Sequence, residues 1–243
     1  MDFTFLSDYS QFFIDGTKIT IGISLCTLVL GFIVGVVVCL ARISRNKIVS
    51  FLGTIYIEFL RGTPLLVQIY IIYFGFPTIG INFPDLGPIP SEYISAIVAL
   101  SINSSAYIAE ILRSGIQSID KGQMEASRSL GLDYSMSMRL VIVPQALKNV
   151  LPALANEFIV LVKESSIVSV IGIQDLMYSA DIVKGNTYLA FEPLLVAAMI
   201  YFVLTFTLSK LVGLFELKLQ NRDVREKSIV SKILKTSNAA QEV

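Results

Sequence analysis

The chain alternates between long apolar runs and short polar interludes. No charged residue falls in the stretch 19–41, which Lys18 and Arg42 bracket, and comparable apolar runs recur at 62–84, 93–109, 149–162 and 193–209. A helix needs about 20 predominantly apolar residues to cross a bilayer. The pattern predicts an all-α membrane protein with about five transmembrane helices. The fourth run is the shortest and continues into a polar break. A soluble helical core is the alternative, but it does not leave charge-free stretches of this length. The first charged residues are Asp2, Asp8 and Asp15. A secretory signal starts positive and has a shorter apolar core, so the first run is expected to stay as an anchor. The segment 76–90, FPTIGINFPDLGPIP, contains four prolines and reads as an irregular external loop.

The stretch 122–144, GQMEASRSLGLDYSMSMRLVIVP, breaks the pattern. It is polar and rich in small residues. Asp120 can cap a helix, with Gln123 three residues on in capping-box register. Gly131 can end that helix in the left-handed conformation. Asp133 can cap a second helix, which Pro144 kinks or breaks. Two readings are open for this pair. An amphipathic helix on the lipid surface wants large apolar groups and many cations. The small residues Ala126, Ser127, Ser129 and Gly131 permit close approach of a protein partner, and the methionines can adapt to a groove. A docking helix fits better.

Charge adds orientation. The chain has 19 basic and 19 acidic residues, a zero balance that argues against nucleic acid as a partner. The distribution is uneven. Arg42, Arg45 and Lys47 follow the first run. Arg113, Lys121, Arg128, Arg139 and Lys148 lie in or beside the central polar segment, and Lys218, Arg222, Arg225, Lys227, Lys232 and Lys235 fill the end of the chain. The alternate connections carry Asp85, Glu92, Asp175, Asp181 and Glu192 against Lys184 alone. The basic excess marks the cytoplasmic side, so the N-terminus is expected outside, with the central segment and the C-terminus inside. Cys26 and Cys39 share one helix and stand about 20 Å apart at 1.5 Å per residue, beyond disulfide reach. Histidine is absent, which excludes histidine metal sites and triads, and no metal site is expected. No Gly-x4-Gly-Lys-Ser/Thr run occurs to cradle ATP phosphates. The chain therefore reads as a non-enzyme with no cofactor of its own.

Ionisable groups inside a bilayer cost roughly 2.5–3.5 kcal/mol each on insertion scales, so they mark function or pairing. Asn103, Tyr107 and Glu110 fall on one helical stripe. Glu157 and Glu164 are seven apart on another, with Lys163 and Ser165 beside them. An amino acid offers an ammonium and a carboxylate, and this set supplies both signs plus neutral hydrogen-bonding groups. The other reading is structural pairing, as Glu157 with Lys163 or Glu110 with Arg113. Glu58 and Arg61 are three apart and can pair. Glu58 is deep if helix 2 starts near Ile48 and superficial if it starts at Gly62. Gly62, Thr63 and Pro64 suggest a kink with a packing role, in which Thr63 satisfies a freed backbone group.

At 125–144 the sequence resembles the cytoplasmic loop of permease subunits of binding-protein-dependent ABC importers. The family's loop pattern, Glu-Ala-Ala, three residues, Gly, nine residues, Ile-x-Leu-Pro, stands here as Glu125-Ala126-Ser127, Gly131 and Val141-Ile142-Val143-Pro144. The spacing matches; Ser127, Val141 and Val143 depart from the pattern. Two further stretches, FLRGTPLLVQ at 59–68 and LVKESSI at 161–167, resemble the polar amino-acid branch, with Glu164 where the branch has Asp and Ser165 where it has Thr. The resemblance covers roughly residues 12–220. It implies a type I importer permease fold in one domain over 1–243, with a membrane core at 12–220, a cytoplasmic loop at 114–145 and a cytoplasmic tail at 221–243. It implies coupling through Gln123, Glu125, Ala126, Ser127, Gly131 and Pro144, and a substrate pathway through the intramembrane residues named above. The implied setting is a bacterial cytoplasmic membrane. The implied partners are a second permease subunit, identical or paralogous, two ATPase subunits that carry ATP and magnesium, an extracytoplasmic amino-acid-binding protein, and a polar amino acid as cargo. An ion-coupled secondary transporter or a channel without ATPase is the rival reading, and a membrane scaffold without a pathway is a third.

Overall fold

The computed structural model describes residues 2–241, with side chains through Lys218. Helix α1 (Leu6–Arg42) buries Phe13, Gly16, Thr20, Ile23, Ser24, Thr27, Gly31, Gly35 and Cys39. These recur every third or fourth residue and form one stripe of mostly small side chains. The stripe packs along α5 (Ser91–Gln117). A Cβ on Gly35 would stand 2.8 Å from Ile108 Cγ2 and 3.1 Å from the Ser105 carbonyl. The two backbones touch because glycine leaves room, which is how helices associate where lipid removes the hydrophobic drive. The opposite face of α1 exposes Leu25, Val29, Ile33, Val37 and Leu40, as a lipid-facing surface requires.

Helix α2 (Lys47–Gly62) is capped by Asn46, whose side chain accepts from the Ile48 and Val49 amides. It does not continue straight. A second leg, built from α3 (Leu65–Tyr70), a π-helical turn (Ile71–Gly75) and α4 (Phe76–Thr78), leaves at 107°. This corrects the expected span at 62–84. Helix 2 starts at Lys47, breaks at 62–64 and ends its second leg at Thr78. Proline disfavours helical backbone in the residue before it, and Thr63 is extended at φ −115° and ψ 147°. The following loop is less irregular than expected, since α4 opens it and a bridge between Leu86 and Ile89 closes its tip.

Beyond α5 come α6 (Lys121–Ser129), α7 (Tyr134–Ser137), a π-helical turn (Met138–Ile142) and α8 (Val143–Glu164). A 3-10 segment (Ser165–Ile171) leads to α9 (Leu176–Thr187) and α10 (Glu192–Gln241). Among the described residues α1, α5 and the Glu192–Lys218 part of α10 are long and apolar enough to cross a membrane, and the bent pair makes a fourth when its two legs are counted as one span. The run expected as a fourth span, 149–162, lies in α8. That helix is long enough, about 33 Å at 1.5 Å per residue, but it is not among the helices apolar enough to qualify.

The connection expected after 175 is itself helical. Leu176, Ala180 and Val183 of α9 are buried against Phe5, Phe13 and Ala197. Asp175, fully buried, caps α9 by accepting from the Tyr178 amide at 2.9 Å and also accepts from the Tyr201 hydroxyl at 3.3 Å. A second core joins Ile23, Ile69, Leu100, Val168 and Ile173, tying α1, α3, α5 and the 3-10 segment together.

Candidate functional site

Helices α5 and α8 do not close fully on each other. Between them, with the end of α2 as a third wall, lies a cavity of about 400 Å³. From α8 it is lined by Asn149, Ala153 and Glu157, four residues apart and so on one stripe. From α5 come Tyr107, Glu110, Ile111, Ser114 and Gly115, with Ser118 just past its end, and from α2 comes Arg61.

The charges in this cavity are arranged unequally. Arg61 lies over the Tyr107 ring, its guanidinium carbon 5.4 Å from the centroid, within cation–π range. Glu110 is engaged by Arg113, which donates to both of its carboxylate oxygens. Glu157 is only 8% exposed, and its carboxylate accepts from the Ser104 hydroxyl at 3.1 Å. Two carboxylates and a guanidinium therefore share one cavity. The Glu110 charge is already met by Arg113, while among the described residues Arg61 and Glu157 form no ion pair.

The expected pathway residues divide. Tyr107, Glu110 and Glu157 meet in the cavity. Asn103 is buried beside it, but its amide faces the break in helix 2, bonding Gln68 Oε1 at 2.9 Å. Lys163 is exposed, Glu164 is half-buried, and neither lines the cavity. Ser165 is buried at the end of α8, where its hydroxyl accepts from Ser24 at 3.4 Å and ties the helix to α1. Glu58, on the twelfth residue of α2, is exposed. Arg61 stands three residues from Glu58, a spacing at which the two can pair. It points instead to Tyr107, 46 positions away, a contact that i, i+3 spacing could not reveal. Asn149 and Ser118 were also missed. They hydrogen-bond each other at 2.9 Å at the end of the cavity next to the polar arm.

That arm is the stretch from Lys121 to Ile142. Asp120 caps α6 by accepting from the Gly122 amide at 2.8 Å, and Asp133 caps α7 by accepting from the Met136 amide at 2.7 Å. Gly131 between them is left-handed at φ +88°. All three follow the expected chemistry. Gln123 departs from it. Its side chain accepts from Gln145 Nε2 at 3.3 Å and so braces α6 against α8. Ser127 is buried inside the arm, while Gln123, Glu125, Ala126, Arg128 and Ser129 are exposed. Pro144 stands at the second position of α8, directly after the π-helical turn. One contact ties the arm to the first helices. The Arg45 guanidinium, in the loop between α1 and α2, lies 4.7 Å from the centroid of the Tyr134 ring.

Residues 18–221 match the family described as "Binding-protein-dependent transport system inner membrane component". The arginine transport system permease protein ArtQ of Bacillus subtilis (strain 168) is 40% identical over 92% of this chain and 99% of its own length. The probable glutamine ABC transporter permease protein GlnM of the same organism is 42% identical over 90% of this chain and 99% of its own length. The crystal structure of an amino acid ABC transporter with histidines contains a chain 48% identical to this one, covering 90% of this chain and 100% of that one, with a TM-score of 0.82. An inward-facing form of the MetNI methionine ABC transporter, 21% identical with a TM-score of 0.63 over 84% of this chain and 96% of that one, shares the fold. With the family's loop motif folded as a capped, exposed arm and the family match running through nearly all of the membrane core, the chain belongs to the inner-membrane components of binding-protein-dependent transport systems, as an ABC importer permease.

Proposed function

We propose that this chain forms half of a pathway through which polar amino acids enter the cell, driven by ATP hydrolysis on separate subunits. The observation that carries the reading is the cavity between α5 and α8. It presents the buried carboxylate of Glu157 and the guanidinium of Arg61 in one space, and it ends at Ser118, two residues before the cap of the arm. A zwitterion needs both signs in one site; Glu157 meets it from a buried position, where its contact is strong, and Arg61 from the exposed end of α2. In this reading Glu157 holds the ammonium, Arg61 holds the carboxylate, and Tyr107 and Glu110 shape the wall. Arg61 takes the part first given to Lys163. The named cargoes of the relatives, arginine and glutamine, are compatible with such a site.

The exposed face of α6, with Gln123, Glu125 and Ala126, is read as the contact for an ATPase subunit that binds ATP and magnesium. Gly131 and Pro144 set the angle of the arm. The complete assembly is read as two permeases, identical or paralogous, two ATPases and an extracytoplasmic binding protein. The basic-residue asymmetry supports a bacterial cytoplasmic membrane with the N-terminus outside and the arm and C-terminus inside. The chain is read as one domain, with its core at 12–220, its loop at 114–145 and a tail at 221–243; the tail's side chains lie outside the described residues.

The test is uptake by the complete complex in proteoliposomes, with radiolabelled arginine and glutamine as probes. Glu157→Gln keeps the size of the side chain and an acceptor for Ser104 but removes the charge. It is expected to raise KM roughly tenfold or more, the size of a charged hydrogen bond, with the complex intact by gel stoichiometry. Wild-type uptake in an intact complex removes Glu157 from the pathway.

A further inference from the structure

We propose that Gln68, backed by Asn103, is a positioning residue that holds the bend between α2 and α3 and through it keeps Arg61 over Tyr107 at the cavity wall. The part of this that concerns transport rests on the reading of the cavity given above.

The chain of cause starts at Pro64. In an unbroken helix the Leu60 carbonyl accepts from the amide four residues on. That residue is Pro64, which has no N–H. An unpaired carbonyl within a bilayer costs several kcal/mol, so something must replace the lost donor. Gln68 Nε2 does so at 2.8 Å, and Asn103 Nδ2 approaches the same carbonyl at 3.3 Å. The Gln68 amide also reaches the Thr63 carbonyl at 3.1 Å and the Thr63 hydroxyl at 2.7 Å, while its own oxygen accepts from Asn103. Gln68 and Asn103 are each 5% exposed. Thr63 in turn donates to the Phe59 carbonyl at 2.9 Å. The end of α2, the start of α3 and the middle of α5 are thus joined through one buried amide.

The network reaches Arg61 from both sides. Leu60 is its immediate neighbour, so fixing the Leu60 carbonyl fixes the peptide plane from which Arg61 leaves. Asn103 lies one helical turn before Tyr107 on α5, so the helix that anchors the bend also supplies the ring beneath the guanidinium. Groups that must meet a ligand need support to within about half an ångström. The last turn of a helix before a break cannot give that support by itself. The bend is sharp, at 107°, and a helix end facing a cavity frays without side-chain partners. Both hydrogens of the Asn103 amide are directed at this network, at Leu60 and Gln68. Its place in the molecule is therefore behind Arg61, in support of it.

The experiment has a structural and a kinetic arm, both on the complete complex with Cys26 and Cys39 replaced. Spin labels at Ile55 and Phe74, both exposed on the two legs of the bend, report its angle without reference to transport. Gln68→Met, similar in length but without an amide, is expected to shift or broaden that distance distribution. It is also expected to raise the uptake KM for arginine or glutamine roughly three- to tenfold, as loss of one or two hydrogen bonds does. The double variant Gln68→Met, Arg61→Gln should show the KM of Arg61→Gln alone, because Gln68 acts through Arg61. An unchanged distance, or KM effects that multiply, overturns the proposal. If Gln68→Met does not assemble, the milder Thr63→Val, which removes one acceptor from the Gln68 amide, is put through the same cycle and judged by the same criteria. If Arg61→Gln transports with wild-type KM while Gln68→Met still shifts the distance, the bend role stands and the pathway reading falls.

Discussion

Pro64 and Pro144 each deprive a helix of a backbone donor, yet their surroundings answer in different ways. At Pro64 the freed carbonyl is taken by side chains from two helices, in a buried network, and the chain turns through 107°. At Pro144 the answer is local. The preceding turn widens to a π-helix, the Val143 amide bonds the Met138 carbonyl, and Gln145 Nε2 caps the Val141 carbonyl at 2.9 Å. Leu140, Val143 and Pro144 are exposed. To change the first break, several buried hydrogen bonds must be lost together. To change the second, one backbone bond exchanges partners, the kind of rearrangement that single π turns at functional sites permit. The difference separates a frame that holds the cavity from an arm that can alter its angle against that frame.

The largest blow to this contrast falls at the tip of the arm. Gly131, at φ +88°, lies in backbone space that a β-branched residue resists. Gly131→Val is expected to misplace α6 and lower uptake and substrate-stimulated ATP hydrolysis together, roughly tenfold or more, with the permease still inserted. Gly131→Asn should be much milder, since asparagine visits the left-handed region. Both activities are measured on the same reconstituted complexes. A fall in uptake with stimulated hydrolysis intact would separate the arm from coupling.

Exchanging the prolines is a sharper test with a smaller effect. Pro144→Ala returns an N–H to the start of α8 and favours an ordinary α turn over the π turn. The arm then shifts by about one residue against α8. The ratio of uptake to hydrolysis is expected to drop roughly three- to tenfold, near the size of one or two hydrogen bonds. Pro64→Ala should instead act on KM and leave that ratio near wild type. If the two variants change the same quantity, the division into frame and arm is wrong.

The smallest effect tests a cation–π contact between the two parts. Arg45 and Tyr134 are both exposed, so their contact is worth about 0.5–1 kcal/mol. Arg45→Ala and Tyr134→Leu are each expected to lower coupling about two- to fivefold. The double variant should match either single one, and Tyr134→Phe should retain coupling. Effects that multiply would show that guanidinium and ring do not act as a pair.

The arm was the most legible part of the sequence because its determinants are local. Asp120, Gly131 and Asp133 each act on backbone within three residues, so cap, left-handed turn and second cap could be read in order. The apolar runs likewise located α1, α5 and α10 by length alone. The cavity was legible only in part. Tyr107, Glu110 and Glu157 followed from helical spacing, whereas Arg61 required knowing that α2 breaks before α5 meets it. Gln68 looked like one polar residue in an apolar run; its partners lie at Leu60 on α2, at Thr63 in the break and at Asn103 on α5. A signal was present, since Pro64 must orphan the Leu60 carbonyl and a replacement donor had to exist. The sequence pointed to Thr63 for that task, but its hydroxyl goes to the Phe59 carbonyl, and the Leu60 carbonyl is taken by the two amides. Helix α9 was missed because its buried face is short and its polar residues resemble those of a loop.

Helix α1 has 37 residues, about 55 Å at 1.5 Å each. Its uncharged part, 19–41, covers about 34 Å and fits a hydrocarbon layer of about 30 Å. The turns before it, where Gln11 and Lys18 both donate to the Asp15 carboxylate, extend beyond that length, and Phe13 packs there against α9 and α10. At its other end the same helix stops at Arg42, three residues before the guanidinium that rests on the arm. A push at either end of this single covalent rod can thus reach the other end with no relay from helix to helix.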